Sequence, residues 1–468
     1  MFKSQRSTFK SSRYSPYGKR RSRFPSFWLI LASLLVAVLL LELAAHLTLR
    51  LSGTQQELAN YQGEPSLINA YRLNFLMSDD QPYKGLSDRG NLVAKQSMGV
   101  GYELVGDRDL EYWQINEQGF RDRESLPLAK PNNEYRIFIL GNSTGFGVGS
   151  TSNTATMAHQ LETLMNERVQ RQQQSPEKYR PDVLSFFPPE REKALALPPK
   201  IENKTYRTIN AAVPGYTSGN HLAQLALQIL PYQPDAIVIV GGYTDLMLPS
   251  VEKATNIPRI NEFLANPLAH YGASVKQSLH KWTSRTALYR AVNYFILRPE
   301  LPLTQKTLGI LERENTLAAH LPQNEQELQR RVDRYRNNYK QMVKLAAGAG
   351  IPLIVAIQPE ITGRNSEALS GSENALYQQL SQDYQQQIQE GYAALNTANN
   401  QLKKAYPNNI DIFNFHQLFQ NTETTPEAFI DPIHLTESAN AVLAERLYQA
   451  VTAVPAIQVT PENYVIAD

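Results

Sequence analysis

The chain has 468 residues, enough for one large domain or two ordinary ones, and its 42% hydrophobic and 19% charged content is that of a globular protein with a packed core. It contains no cysteine, which excludes disulfides, thiolate zinc sites and a cysteine nucleophile. The formal net charge of +2 conceals an asymmetry: residues 1–25 carry eight basic side chains and no acid, leaving 38 basic against 44 acidic groups in the remainder.

In chain order, the basic tail 1–25 abuts the apolar run 27–41 (FWLILASLLVAVLLL), which continues to about residue 49. About 20 apolar residues cross a bilayer, so 26–50 is expected to be a transmembrane anchor and the tail a cytoplasmic segment, not a nucleic-acid arm. Positive-inside topology then places the rest of the chain outside the membrane, in the periplasm or at the cell surface. A cleavable signal peptide is the rival, since Leu43-Ala44-Ala45 offers small residues. The apolar run nevertheless exceeds the roughly 7–15 residues of a signal core. Glu42 within the span is costly unless it lies near the interface or against a partner.

Residues 51–130 are polar, with no sustained period, and are expected as a stalk and lead-in packed on the domain edge. From 131 to 455 short β-branched runs alternate with longer helical patterns, the signature of a parallel sheet covered by helices. Five strands are expected, at 135–140 (YRIFIL), 208–213 (TINAAV), 236–240 (AIVIV), 352–357 (PLIVAI) and 410–415 (IDIFNF). Helices are expected at 154–170, 219–230, 325–347, 375–405 and 436 to about 451. Two stretches, about 171–204 and 249–322, read as insertions, the second long enough to cap the carboxyl edge of the sheet, where open α/β folds bind ligands. Residues 456–468 read as a C-terminal tail.

The first strand runs into Gly141-Asn142-Ser143-Thr144-Gly145-Phe146-Gly147-Val148-Gly149. Small residues permit a sharp strand-to-helix turn, and a serine at its bend is placed as a nucleophile with its own N–H facing a developing oxyanion. The plainer alternative is a glycine-rich turn in which Ser143 only caps a helix. A phosphate loop is excluded by the absence of a following Lys and by glycine spacing that departs from the dinucleotide pattern. A base is available near the end of the chain, in Asp431-Pro432-Ile433-His434. On a turn this spacing brings the carboxylate to imidazole Nδ1 and leaves Nε2 free for the serine proton. Among the other histidines, His159, His221 and His416 also fall in or beside expected elements, so the pairing with Asp431 is what singles out His434. No histidine spacing suits a metal site.

Gly141-Asn142-Ser143, Gly215 after the second strand, Gly242-Tyr243-Thr244-Asp245 after the third, and Asp431-x-x-His434 together resemble the four ordered blocks of the SGNH (GDSL-like) hydrolase family, over roughly residues 131–455. The lead-in Ile115-Asn116-Glu117-Gln118-Gly119-Phe120-Arg121 is similar to a segment found before the first block in membrane-anchored bacterial members. The resemblance implies a three-layer α/β/α sandwich with a five-stranded parallel sheet of flavodoxin-like order. It also implies Ser143 as nucleophile, His434 as base, Asp431 as its orienting carboxylate, and an oxyanion hole from the N–H groups of Ser143 and Gly215 with Thr244. Two positions depart from the family: Asn142 stands where Asp is usual, and Thr244 where an Asn amide usually supplies the third donor. Tyr243 and Asn220 are the other candidate donors.

G-x-S-x-G at 141–145 also fits an α/β-hydrolase, but there several strands precede the nucleophile, whereas here Ser143 follows the first. The expected activity is serine esterase chemistry on an acylated envelope glycan or lipid, with no cofactor, no metal and no nucleic-acid partner. An O-acyltransferase with the same triad and an inactive SGNH scaffold are the alternatives.

Overall fold

The computed structural model describes residues 26–54, 58, 66–81, 90–253, 255–256, 272, 275–276, 279–280, 282–297, 317–369, 371–421 and 425–463. The basic tail lies outside them, as does most of the second insertion with its expected cap.

Five strands form one parallel sheet: β1 (Glu134–Gly141), β2 (Thr205–Asn210), β3 (Ala236–Gly241), β4 (Leu353–Ile357) and β5 (Ile410–Asn414). Their order is β5-β4-β3-β1-β2, which is the flavodoxin-like arrangement. The register pairs Ile137 with Ala236 and with Thr208, and Leu353 with Ile237 and with Ile410.

Successive side chains enter opposite layers. Phe138, Leu140, Ile237, Ile239, Leu353 and Val355 meet helices α2 (Ser218–Gln224), α3 (Glu325–Gly348) and α4 (Gln382–Ala405) on one face. Ile137, Ile139, Val238, Val240, Ile354 and Ala356 meet α1 (Met157–Gln174) and α5 (Glu437–Thr452) on the other. The strands are apolar throughout because both their faces are covered. Helix starts follow local capping: Thr156, Asn324, Ser381 and Thr436 each accept a hydrogen bond from the N–H three residues on.

Three expectations are corrected. The helix read across 375–405 is two, Gly371–Gln379 and α4, because Ser381 turns its hydroxyl to the Tyr384 N–H and starts a new helix. The second strand lies three residues earlier than read. As the edge of the sheet it needs cover from fewer neighbours and admits Thr205 and Arg207, which the apolar criterion skipped. Residues 51–130 form more than a stalk. Strands Leu73–Leu76, Leu92–Ser97 and Gly101–Leu104 make a small sheet, beside the hairpin of Arg108–Leu110 with Trp113–Ile115. Their cluster of Tyr71, Phe75, Tyr102 and Trp113 packs onto Phe146, Val148, Val213 and Tyr216 at the carboxyl edge of the main sheet. Strands of three to six residues are too short to register as a period. The C-terminal residues likewise pair, Glu462–Asn463 running parallel to Val183–Leu184 of the first insertion.

One helix, Ser26–Leu51, leaves most of its apolar side chains exposed, Ala45 and Leu49 near its C-terminal end being buried. Its portion Phe27–Leu51 is long and apolar enough to cross a membrane, a test that a signal sequence near an N-terminus also passes.

Glu162 of α1 accepts the Thr208 N–H at 2.7 Å, fastening the helix to the edge strand. Burial pushes its carboxyl up to about 7, against the smaller lowering effect of that hydrogen bond. The folded value lies above the unfolded one of about 4.3, so the stabilising contribution is complete below that pH and is lost as pH rises through 7. Glu162→Gln is therefore expected to raise the Tm relative to the native chain at about pH 8.5 and to leave it nearly unchanged at about pH 4, as read by calorimetric melts.

Candidate active site

Ser143 opens the four-residue helix Ser143–Phe146 directly after β1. A Cβ on Gly141 would stand 2.5 Å from the Val240 carbonyl oxygen, so only glycine lets β1 turn this close to β3. Asn142 caps the turn, its Oδ1 accepting the Thr144 N–H at 3.0 Å. Gly147 ends it at φ +84°, a left-handed conformation suited to glycine. The Asn142 amide donates to Gln358 Oε1 at 2.5 Å, a bond that the family's usual Asp could not donate. Ser143 is buried, and its Oγ has no hydrogen-bond partner.

Asp431 and His434 share one tight turn. Asp431 Oδ1 accepts the N–H groups of Ile433 and His434 at 3.0 and 2.8 Å, while Oδ2 meets His434 Nδ1 at 2.6 Å. Burial works against the carboxylate charge, but the imidazole and these hydrogen bonds outweigh it and hold the Asp431 pKa below its usual value. His434 Nε2 is buried and, like Ser143 Oγ, has no hydrogen-bond partner. The two segments are tied together by Thr144, whose hydroxyl donates to the Ile433 carbonyl at 3.0 Å and accepts from the Gln358 amide at 2.8 Å. Of the other histidines, burial lowers the pKa of His221 to about 4, leaving it neutral, and His416 faces Thr362 and Glu360.

The expected oxyanion donors differ in what the fold leaves them. Gly215 sits in a turn at φ +85° after β2. Ser143 is the first residue of its turn, so its N–H has no acceptor within the helix. Thr244 is buried, and its hydroxyl donates to the Tyr216 carbonyl at 2.5 Å, which commits its single proton. The other candidates are engaged as well. Asn220 accepts from Thr217 and donates to the Val100 carbonyl at 2.8 Å, and the Tyr243 hydroxyl lies 3.2 Å from that of Tyr384.

Three supporting groups escaped the sequence reading. Arg121, singled out only as the end of the lead-in, is buried and donates to the carbonyls of Phe146 and Gly147 at 2.9 and 2.7 Å, bracing the nucleophile turn from behind. Gln358 follows β4 at the carboxyl edge, and that position was its one available signal. Arg364 and Glu373 form a buried ion pair at 2.7 Å. Arg364 donates to the carbonyls of Phe419, Thr425 and Pro426, and Glu373 accepts the N–H groups of Ala428 and Phe429, fixing the chain just before Asp431.

With this geometry in place, the family model of the GDSL-like lipases/acylhydrolases matches residues 314–447. Over that segment the chain is similar to the GDSL-like lipases/acylhydrolases. The matched stretch holds Asp431 and His434, and the Ser143 turn precedes it. None of the curated proteins matches. Among solved structures, the chain is similar to a lipase/acylhydrolase from Enterococcus faecalis, at 13% identity over 68% of this chain and 95% of that one, with a TM-score of 0.33. It is also similar to a GDSL-like lipase from Bacteroides thetaiotaomicron, at 13% identity over 70% and 91% of the two chains with a TM-score of 0.29.

Removing one member of a buried ion pair strands the other. Glu373→Ala is expected to cost about 3–5 kcal/mol in urea denaturation and to lower esterase activity by freeing the Asp431–His434 turn. Thr144→Val, which keeps the shape but deletes the link to Ile433, is expected to cost about 1–3 kcal/mol and to lower kcat more than it raises KM.

Proposed function

We propose that the chain is a hydrolase of the GDSL-like type: a membrane-anchored, extracytoplasmic serine esterase that cleaves carboxylic esters on an acylated glycan or lipid of the cell envelope. The observation that carries the reading is the 2.6 Å pairing of Asp431 with His434 Nδ1, with Nε2 and Ser143 Oγ left without partners at the same sheet edge. In the reaction, Ser143 Oγ attacks the ester carbonyl carbon as its proton passes to His434 Nε2. The imidazolium, steadied by Asp431, then protonates the departing alcohol. Water attacks the acyl-serine by the same proton path in reverse and releases the acid. The N–H groups of Ser143 and Gly215 are the proposed oxyanion donors. The apolar helix and the basic tail before it support the envelope as location.

One observation favours a second reading, a catalytically weak or idle scaffold: the Thr244 proton is spent on Tyr216, so the third oxyanion donor is missing. Loss of one such donor typically costs about 2.7–4 kcal/mol of transition-state stabilisation.

Fluorophosphonate labelling of the full chain separates the two. Labelling of the native protein, abolished in both Ser143→Ala and His434→Ala, is the expected result, whereas a well-folded native chain that stays unlabelled supports the scaffold. With a chromogenic acetyl ester, Asp431→Asn is expected to lower kcat by roughly 10⁴-fold through the wrong imidazole tautomer. Thr244→Asn, close in volume and with an amide to donate, is expected to raise kcat, with roughly 10³-fold as its ceiling.

A further inference from the structure

The second insertion contains a stretch that the hydrolase site does not use. Residues 271–297 (YGASVKQSLHKWTSRTALYRAVNYFIL) hold four basic side chains, Lys276, Lys281, Arg285 and Arg290, and no acid. Within it, the helical residues Val275, Leu279 and Trp282 stand at i, i+4, i+7 spacing in the sequence and are 49%, 61% and 69% exposed. After a turn, the helix Ala287–Ala291 continues as a wider helical turn, Val292–Leu297, whose Ile296 and Leu297 are 72% and 62% exposed. Such a concentration of large apolar side chains beside basic ones marks a surface that meets something apolar and anionic.

The same stretch is seated on the N-terminal helix. Ala287 packs with Ala45, Leu49 and Leu58. The first two N–H groups of its helix, those of Ala287 and Leu288, donate to the two carboxylate oxygens of Glu42 at 2.6 and 2.9 Å. Glu42, costly in a span, thus has its partner. If about 20 residues from Phe27 cross the hydrocarbon, its outer boundary falls near residue 46, about 6 Å beyond Glu42 at 1.5 Å per residue. That depth falls within the 5–10 Å, roughly, at which amphipathic interfacial helices bury their apolar face.

We infer that the described residues 275–276, 279–280 and 282–297 belong to a membrane-embedded arm, docked on the anchor through Glu42, that lies in the outer leaflet with Trp282, Ile296 and Leu297 in lipid and Lys276 and Arg285 at anionic headgroups. The inference rests on the membrane-anchor reading above. It makes the attachment two-element, anchor and arm, and holds the hydrolase domain against the bilayer.

Because the chain lacks cysteine, single nitroxide labels can be introduced without background. The full chain is reconstituted in phosphatidylcholine/phosphatidylglycerol vesicles with labels at Trp282→Cys, Ile296→Cys, Leu35→Cys in the anchor and Met98→Cys on the small N-terminal sheet. At 282 and 296, as at 35, collisional access to oxygen is expected to exceed access to a water-soluble nickel chelate several-fold, with the opposite at 98. Aqueous behaviour at 282 and 296 with lipid behaviour at 35 overturns the arm and leaves the anchor standing. Aqueous behaviour at all four overturns both. Glu42→Gln is expected to raise label mobility at 296 but not at 35, and an unchanged spectrum at 296 would overturn docking through Glu42.

Discussion

Thr144 carries the constraint on which the site depends. Its neighbour Ser143 sits after the first strand and His434 before the last helix, 291 positions apart in the chain. Nothing local aligns them. The Thr144 hydroxyl, donating to the Ile433 carbonyl and accepting from Gln358, is one buried polar atom with both of its roles filled by distant segments. In a low-dielectric interior an unfilled role would be expensive, so the network has one satisfactory arrangement and that arrangement sets the Ser143 turn against the His434 turn. Asn142 extends it to Thr244, at 3.4 Å, and so to the loop after the third strand.

Two buried arginines serve the same end by different electrostatics. Arg364 has Glu373 as counter-ion, and the pair distributes its hydrogen bonds over the chain leading to Asp431. Among the described residues Arg121 has no carboxylate partner. It is satisfied by carbonyl oxygens, by Tyr71 Oη and Asn153 Oδ1, and by the ring faces of Tyr71 and Phe146. Burial lowers its pKa, and arginine is the one side chain that remains charged despite such a shift. Its five donors reach Tyr71 and Tyr112 of the N-terminal segment, the loop before α1 and the Ser143 turn at once, so the segment read as a stalk is part of what holds the serine in place.

The elements of this fold were readable in the sequence because their causes are local. Strands covered on both faces must be apolar, helices start at Thr, Asn or Ser caps, and a glycine must stand where a Cβ at the end of β1 would meet a carbonyl oxygen at 2.5 Å. Asp431 and His434 were readable for the same reason: three residues apart on one turn, the carboxylate reaches the imidazole and the backbone N–H groups without help from the rest of the molecule. The misread elements had weak local signals. The edge strand tolerates polar residues, and the break at Ser381 is a single hydroxyl within a long helical pattern.

Tertiary structure alone decided which polar groups are free to act. The sequence placed Thr244, Tyr243 and Asn220 near the site without ranking them. Only the fold shows that each has its hydrogen bonds committed, to Tyr216, to Tyr384 and to Val100. It likewise supplied Gln358, Arg121 and Glu373, whose partners lie tens to hundreds of residues away. Propensity and periodicity are sums over neighbours in the chain, and so they are written in the sequence. Satisfaction of a buried donor or acceptor depends on which atoms the folded chain brings within about 3 Å, and that is settled only when all the layers are in place.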